Sequence, residues 1–193
     1  MDLEGYLPDI AIAAALAWGS GLRAYAVVFA VGLAGAAGWV ELPEHLRLLE
    51  HPLVLGASGL LTAVEFFADK LPWLDSVWDA VHSFIRIPAG AALAAAVFGD
   101  SGAAVALSAA ILGGTLAGAA HLAKAGTRAA INTSPEPFTN WSASLAEDAL
   151  VPSGLWLAVA HPIGFFVLLA LFLAAAVLLV RRIWQGVRRL AGR

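Results

Sequence analysis

The sequence has no cysteine, and charged side chains make up only 13% of its 193 residues. Without cysteine there are no disulfides, no thiolate metal ligands and no cysteine nucleophile. The scarcity of charge is more decisive. A soluble domain is about 25% charged and about 45–50% apolar, whereas this chain is 61% apolar, with a mean hydropathy of +0.83. Polar side chains cannot cover a globule of that composition, and intrinsic disorder is excluded by the same figures. A basic leader is also missing. The chain starts Met1-Asp2-Leu3-Glu4, and a cleaved signal peptide needs a positively charged start, so none is expected. What the absences leave is an all-α integral membrane protein, small enough to form one bundle.

A spanning helix needs about 20 mostly apolar residues. Five segments qualify: Asp9 to Ala37, His51 to Leu71, Ser76 to Phe98, Ala103 to Ile131 and Ser153 to Val180. The chain therefore reads as a polytopic transmembrane helical bundle of about five main spans, with 1–193 as a single transmembrane domain. Five of its eleven basic residues (Arg181, Arg182, Arg188, Arg189, Arg193) lie in the tail 181–193. The positive-inside rule puts that tail in the cytoplasm and, over five spans, the N-terminus outside.

Two segments are long for a bilayer core of about 30 Å. The first would extend about 43 Å as a straight helix, and its middle is Gly19-Ser20-Gly21-Leu22-Arg23, so a break or a steep tilt is expected there. The fourth contains Gly113-Gly114 and Gly118. After it, Asn132 to Asn140 is polar and proline-broken, and Trp141 to Leu150 reads as a short helix, re-entrant or flat on the surface. Runs rich in alanine and glycine allow close helix packing within one bundle or, alternatively, a homo-oligomer interface.

A repeat is suggested by Gly21-Leu22-Arg23-Ala24 and Gly126-Thr127-Arg128-Ala129, 105 positions apart, each followed by a His-Pro pair, His51-Pro52 and His161-Pro162. The halves 9–74 and 103–180 would then be an inverted repeat with broken helices, a construction common in secondary transporters.

Ionisable groups within such spans are the main functional signal, because a charge at the bilayer centre costs at least about 2.5–3.5 kcal/mol. Glu65 and Asp69 are one turn apart. Asp75, Asp79, His82 and Arg86 share a stripe, as do His121, Lys124 and Arg128. Arg23 stands in the first span and Glu147 and Asp148 on the short helix. Acids of the second and third spans and bases of the first and fourth are expected to meet in one half of the membrane.

Three functions fit this set. Glu65, Asp69, Asp79, His82, Arg86, Arg23, His121, Lys124, Arg128, Asn132, Glu147 and Asp148 could line a cavity for an ion or charged small solute. In an enzyme acting on a lipid headgroup, Glu65, Asp69, Asp79 and His82 would instead hold a divalent metal, although no motif such as H-E-x-x-H is present. In a structural membrane subunit the charges would only pair: Glu65 with Arg86, Asp79 with Lys124, Asp148 with Arg128. The transporter or channel-like permease is the favoured expectation, with no catalytic residues and no cofactor. Its partners are the lipid bilayer and the solute, and no nucleic acid is expected.

The run Glu65-x3-Asp69-Lys70-x-Pro72-x2-Asp75-x2-Trp78-Asp79-x2-His82-x3-Arg86 and the stretch Lys124 to Asn140 resemble a membrane family described as domain of unknown function 4126. The similarity extends from Gly21-Leu22-Arg23-Ala24-Tyr25 to the last span and leaves out the basic tail. It implies an integral protein of a bacterial inner membrane and carries no substrate or reaction with it.

Overall fold

The computed structural model describes residues 3–131 and 137–191. Six α-helices account for most of these residues: α1 (Leu3–Ala36), α2 (Pro52–Ala68), α3 (Pro72–Val97), α4 (Ala103–Ile131), α5 (Pro137–Ala160) and α6 (Pro162–Ala191), with 3-10 turns at Glu44–Glu50 and Gly99–Ser101. There is no strand among the described residues. Among the described residues four helices are long and apolar enough to cross a membrane, and a fifth span results if Glu44–Glu50 and α2, bent by 67° at His51, count as one.

The sequence places α1 at the centre. Ala11, Ala15, Trp18 and Leu22 repeat at helical spacing and are all buried. Two-thirds of the apolar window of α1 is buried, against 11% for α6, which therefore lies at the periphery. Trp18 fastens α6 to the core through edge-on contacts with Phe165 at 6.1 Å and Phe172 at 5.5 Å. Small residues set the other crossings. A Cβ on Gly21 would run into the Ala117 carbonyl oxygen, and one on Gly90 would stand 2.5 Å from the Ala117 Cβ. Glycine thus brings α1 and α3 against α4 at backbone distance.

The expected break in the first span is at Arg23, whose φ of −149° and ψ of 79° interrupt α1. Both His-Pro pairs begin helices, with proline in the first turn where its missing N–H is no loss. His51 caps α2, its Nδ1 accepting from the Leu53 N–H at 3.2 Å.

The fifth segment and the short helix are bounded differently from the sequence expectation. The last span starts at Pro162, because the chain breaks at His161, and Ser153 to Ala160 belongs to α5 instead. The helix expected over Trp141 to Leu150 runs from Pro137 to Ala160, straight through Pro152. Likewise α3 continues past Pro88 and Gly90. A proline removes one ladder bond, and membrane helices tolerate it where neighbouring groups take up the freed carbonyl.

Candidate functional site

Every helix except α6 sends charged side chains to one place, the break in α1. Arg23 comes from α1, Glu65 from α2 and Asp69 from its C-terminal cap. Asp79 and Arg86 come from α3, Lys124 and Arg128 from the C-terminal half of α4, and Glu147 and Asp148 from α5. Bases near the end of α4 also suit the negative pole of its dipole. Glu65, Asp69, Asp79, Arg23, Arg86, Lys124 and Arg128 are all buried.

The nine groups form one connected network. Arg86 bridges Glu65 and Asp79, with Nη2 at 2.5 Å from Glu65 Oε1 and Nη1 at 2.5 Å from Asp79 Oδ1. Lys124 Nζ joins Asp79 (3.5 Å), Asp69 (3.1 Å) and Glu147 (3.4 Å). Arg23 meets Asp69 at 2.9 Å and Asp148 at 3.0 Å, and Arg128 meets Glu147 at 3.1 Å. Lys124 also donates to the Leu22 carbonyl beside the helix break, at 3.3 Å. Of the pairs expected from sequence, Glu65–Arg86 and Asp79–Lys124 form. Asp148 pairs with Arg23 rather than with Arg128, since α5 packs along α1 with Asp148 at its break.

Among the described residues five carboxylates and four cations are joined in this network, with Lys70 as a further cation beside Asp148. Four of the five use a single oxygen. Glu65 Oε2, Asp69 Oδ1, Asp79 Oδ2 and Asp148 Oδ2 are buried with no hydrogen-bond partner, and such orphaned acceptors each cost about 1–3 kcal/mol or more. At the edge of the network, burial disfavours the charge on Asp69, but Lys124, Arg23 and Arg128 outweigh it and hold the carboxyl below its usual range. Burial raises the Asp148 carboxyl, with Arg23 and Lys70 pulling the other way. A cavity of about 190 Å³ opens on this edge, walled by Arg23, Thr62, Asp148 and Pro152.

The two histidines differ. The His121 Nδ1 accepts from Arg86 Nη1 at 3.3 Å, and its Nε2–H donates at 2.7 Å to Ser83 Oγ, which in turn donates to the Asp79 carbonyl at 3.0 Å. These contacts fix His121 as a neutral tautomer joined to the network. His82 stacks on Trp78 with ring centroids 4.1 Å apart and gives its Nδ1–H to the Trp78 carbonyl at 2.7 Å. It is packed beside the cluster, with Tyr25 edge-on at 5.5 Å.

Asn132 lies outside the described residues. Asn140 is a strut: Oδ1 accepts from Arg128 at 2.5 Å and Nδ2 donates to the Asp69 carbonyl at 3.0 Å. Ser144 accepts from Arg23 through Oγ at 3.1 Å. Ser83 carried one local signal, its position four residues after Asp79. Among the described residues no group of three or more His, Asp or Glu is arranged to hold a metal ion. Glu65, Asp69 and Asp79 turn their bonded oxygens towards arginine and lysine, where a divalent ion would have to displace a cationic side chain.

No curated protein and no solved structure matches the chain. Residues 10–182 match the family model described as Domain of unknown function (DUF4126), and that match spans the helices that build the charge network. With nearly all of its length inside this match, the chain belongs to the DUF4126 family.

Proposed function

We propose that this membrane protein is a small permease for an ion or charged small solute, with the network at the α1 break as its binding site. The observation that carries the reading is a buried charge network in which four carboxylate oxygens have no donor. A structural network would gain from balance and full hydrogen bonding. One whose carboxylate oxygens are left without donors favours a proton or another small cation as occupant. The broken helix supports the same reading, since interrupted helices at the binding site are a recurring feature of transporters. The positive-inside rule applied to Arg181, Arg182, Arg188 and Arg189 orients the basic end towards the cytoplasm of a bacterial inner membrane.

The test is flux in proteoliposomes under an imposed membrane potential, read with a lumenal pH dye and with monovalent cation indicators. Wild-type protein is expected to conduct or exchange one of these ions. Glu65→Gln and Asp79→Asn are expected to abolish that flux while both variants retain cooperative unfolding. Normal flux in both variants, or none from wild-type protein for protons and monovalent cations, overturns the proposal.

A further inference from the structure

Helix α6 ends in positive charge that no carboxylate among the described residues answers. It runs unbroken from Pro162 to Ala191, about 45 Å at 1.5 Å per residue, while the bilayer core is only about 30 Å thick. Its apolar part, Pro162–Arg182, is long enough to cross, and the rest continues past the core. Positions 181 and 182 therefore stand at the edge of the hydrocarbon, and positions 188 and 189 come about 10 Å further along the axis, within reach of the headgroups. All four are arginine. They fall within about a third of the helix circumference, because 181 and 188, like 182 and 189, are seven residues or nearly two turns apart. Arg181, Arg182 and Arg188 are exposed and make no ion pair among the described residues. The last acid in the sequence is Asp148, and Arg23 already holds it. Trp184 is exposed at the same level, with the Arg188 guanidinium 5.3 Å from its ring, as suits a tryptophan at a membrane–water interface.

We infer that this end of α6 is a binding surface for the anionic phospholipid headgroups of the leaflet from which it emerges. Place and charge select that partner. Only 11% of the apolar window of α6 is buried, so lipid surrounds the helix up to the arginines. Clustered arginines directly after a span attract anionic lipid, and the planar guanidinium matches phosphate geometry with two parallel donors. A soluble acidic partner would have to displace lipid that the span itself brings into contact. The family match ends at Arg182, so half of the surface lies beyond the part of the chain that the family shares. Helix α6 gives no group to the charge network, and the inference stands apart from the permease reading.

The chain has no cysteine, so Gln185→Cys, exposed between the arginine positions, takes a single bimane label. The full-length labelled protein is placed in phosphatidylcholine vesicles with a small fraction of phosphatidylglycerol or phosphatidylcholine carrying a nitroxide high on the acyl chain. Phosphatidylglycerol should quench at least about fivefold more effectively, the equivalent of the roughly 1 kcal/mol of one arginine at an anionic surface. The ratio should approach one in 1 M salt, where the Debye length shrinks to about 3 Å. It should also be near one for a label at Ile163→Cys, exposed at the opposite end of the same helix. Replacing Arg181, Arg182, Arg188 and Arg189 together by glutamine should abolish the preference, and replacing them by lysine should keep most of it. If the glutamine variant does not reconstitute, Arg188→Gln with Arg189→Gln should at least halve the ratio. Equal quenching by the two lipids in the otherwise unchanged protein overturns the inference, even if the segment captures a soluble acidic protein. So does a preference that survives loss of the arginines or is as large at Ile163→Cys.

Discussion

Removing a base from the charge network should destabilise the protein far more than neutralising an acid. Arg86 is fully buried and holds Glu65 and Asp79 together. Two unit charges about 4 Å apart attract by about 4 kcal/mol at an effective dielectric constant near 20, and Arg86 makes two such contacts. Breaking a buried pair from one side costs about 3–5 kcal/mol. Arg86→Met removes a positive charge and leaves two carboxylates facing each other, so its loss should reach the upper end of that range. Glu65→Gln removes one negative charge but keeps an oxygen to accept from Arg86, so it should stay near the 1 kcal/mol of an ordinary hydrogen-bond change. Equilibrium unfolding in mixed micelles, followed by circular dichroism, measures both. Equal losses would refute the argument, because they would mean that Arg86 holds the network together no more than one of its carboxylates does. A double variant, Arg86→Met with Glu65→Leu, should recover part of the single Arg86→Met loss, since apolar replacements of a buried pair are often neutral.

Glycine substitutions should differ in sign with their surroundings. Gly21→Ala forces a Cβ against the backbone of α4 and should cost about 1–3 kcal/mol, whereas Gly56→Ala meets open space on α2 and should gain about 0.5–1 kcal/mol; thermal melts of the two variants check the contrast. Asp69 has its carboxyl held below the usual range, so its stabilising contribution is complete above the unfolded-state value and disappears as pH falls through the folded one. Between pH 6 and 3 the melting temperature of Asp69→Asn should therefore fall less than that of wild-type protein. His45 and Asp100 pair at 3.2 Å with both side chains at least half exposed, so His45→Ala should change stability by less than about 1 kcal/mol.

How far the sequence leads depends on whether a feature is local. Composition alone determines the solvent, because 13% charge cannot cover a soluble globule. Spacing of three and four places Asp79 with Arg86, and His121 with Lys124 and Arg128, on single faces, and the glycines before Arg23 foretell the break in α1. Those are properties of one helix and its neighbours in the chain. Which acid meets which base is a property of helix crossings, and tertiary structure decided it. Asp148 went to Arg23 because α5 runs on through Pro152 and lies along α1, a course no local pattern announces. The same packing turned Asn140 into a strut and left two cavities touching across Ala30 and Pro152. The sequence named the residues too costly to bury without a reason; the crossing of five helices at the Arg23 break decided which oxygens would be left without a partner.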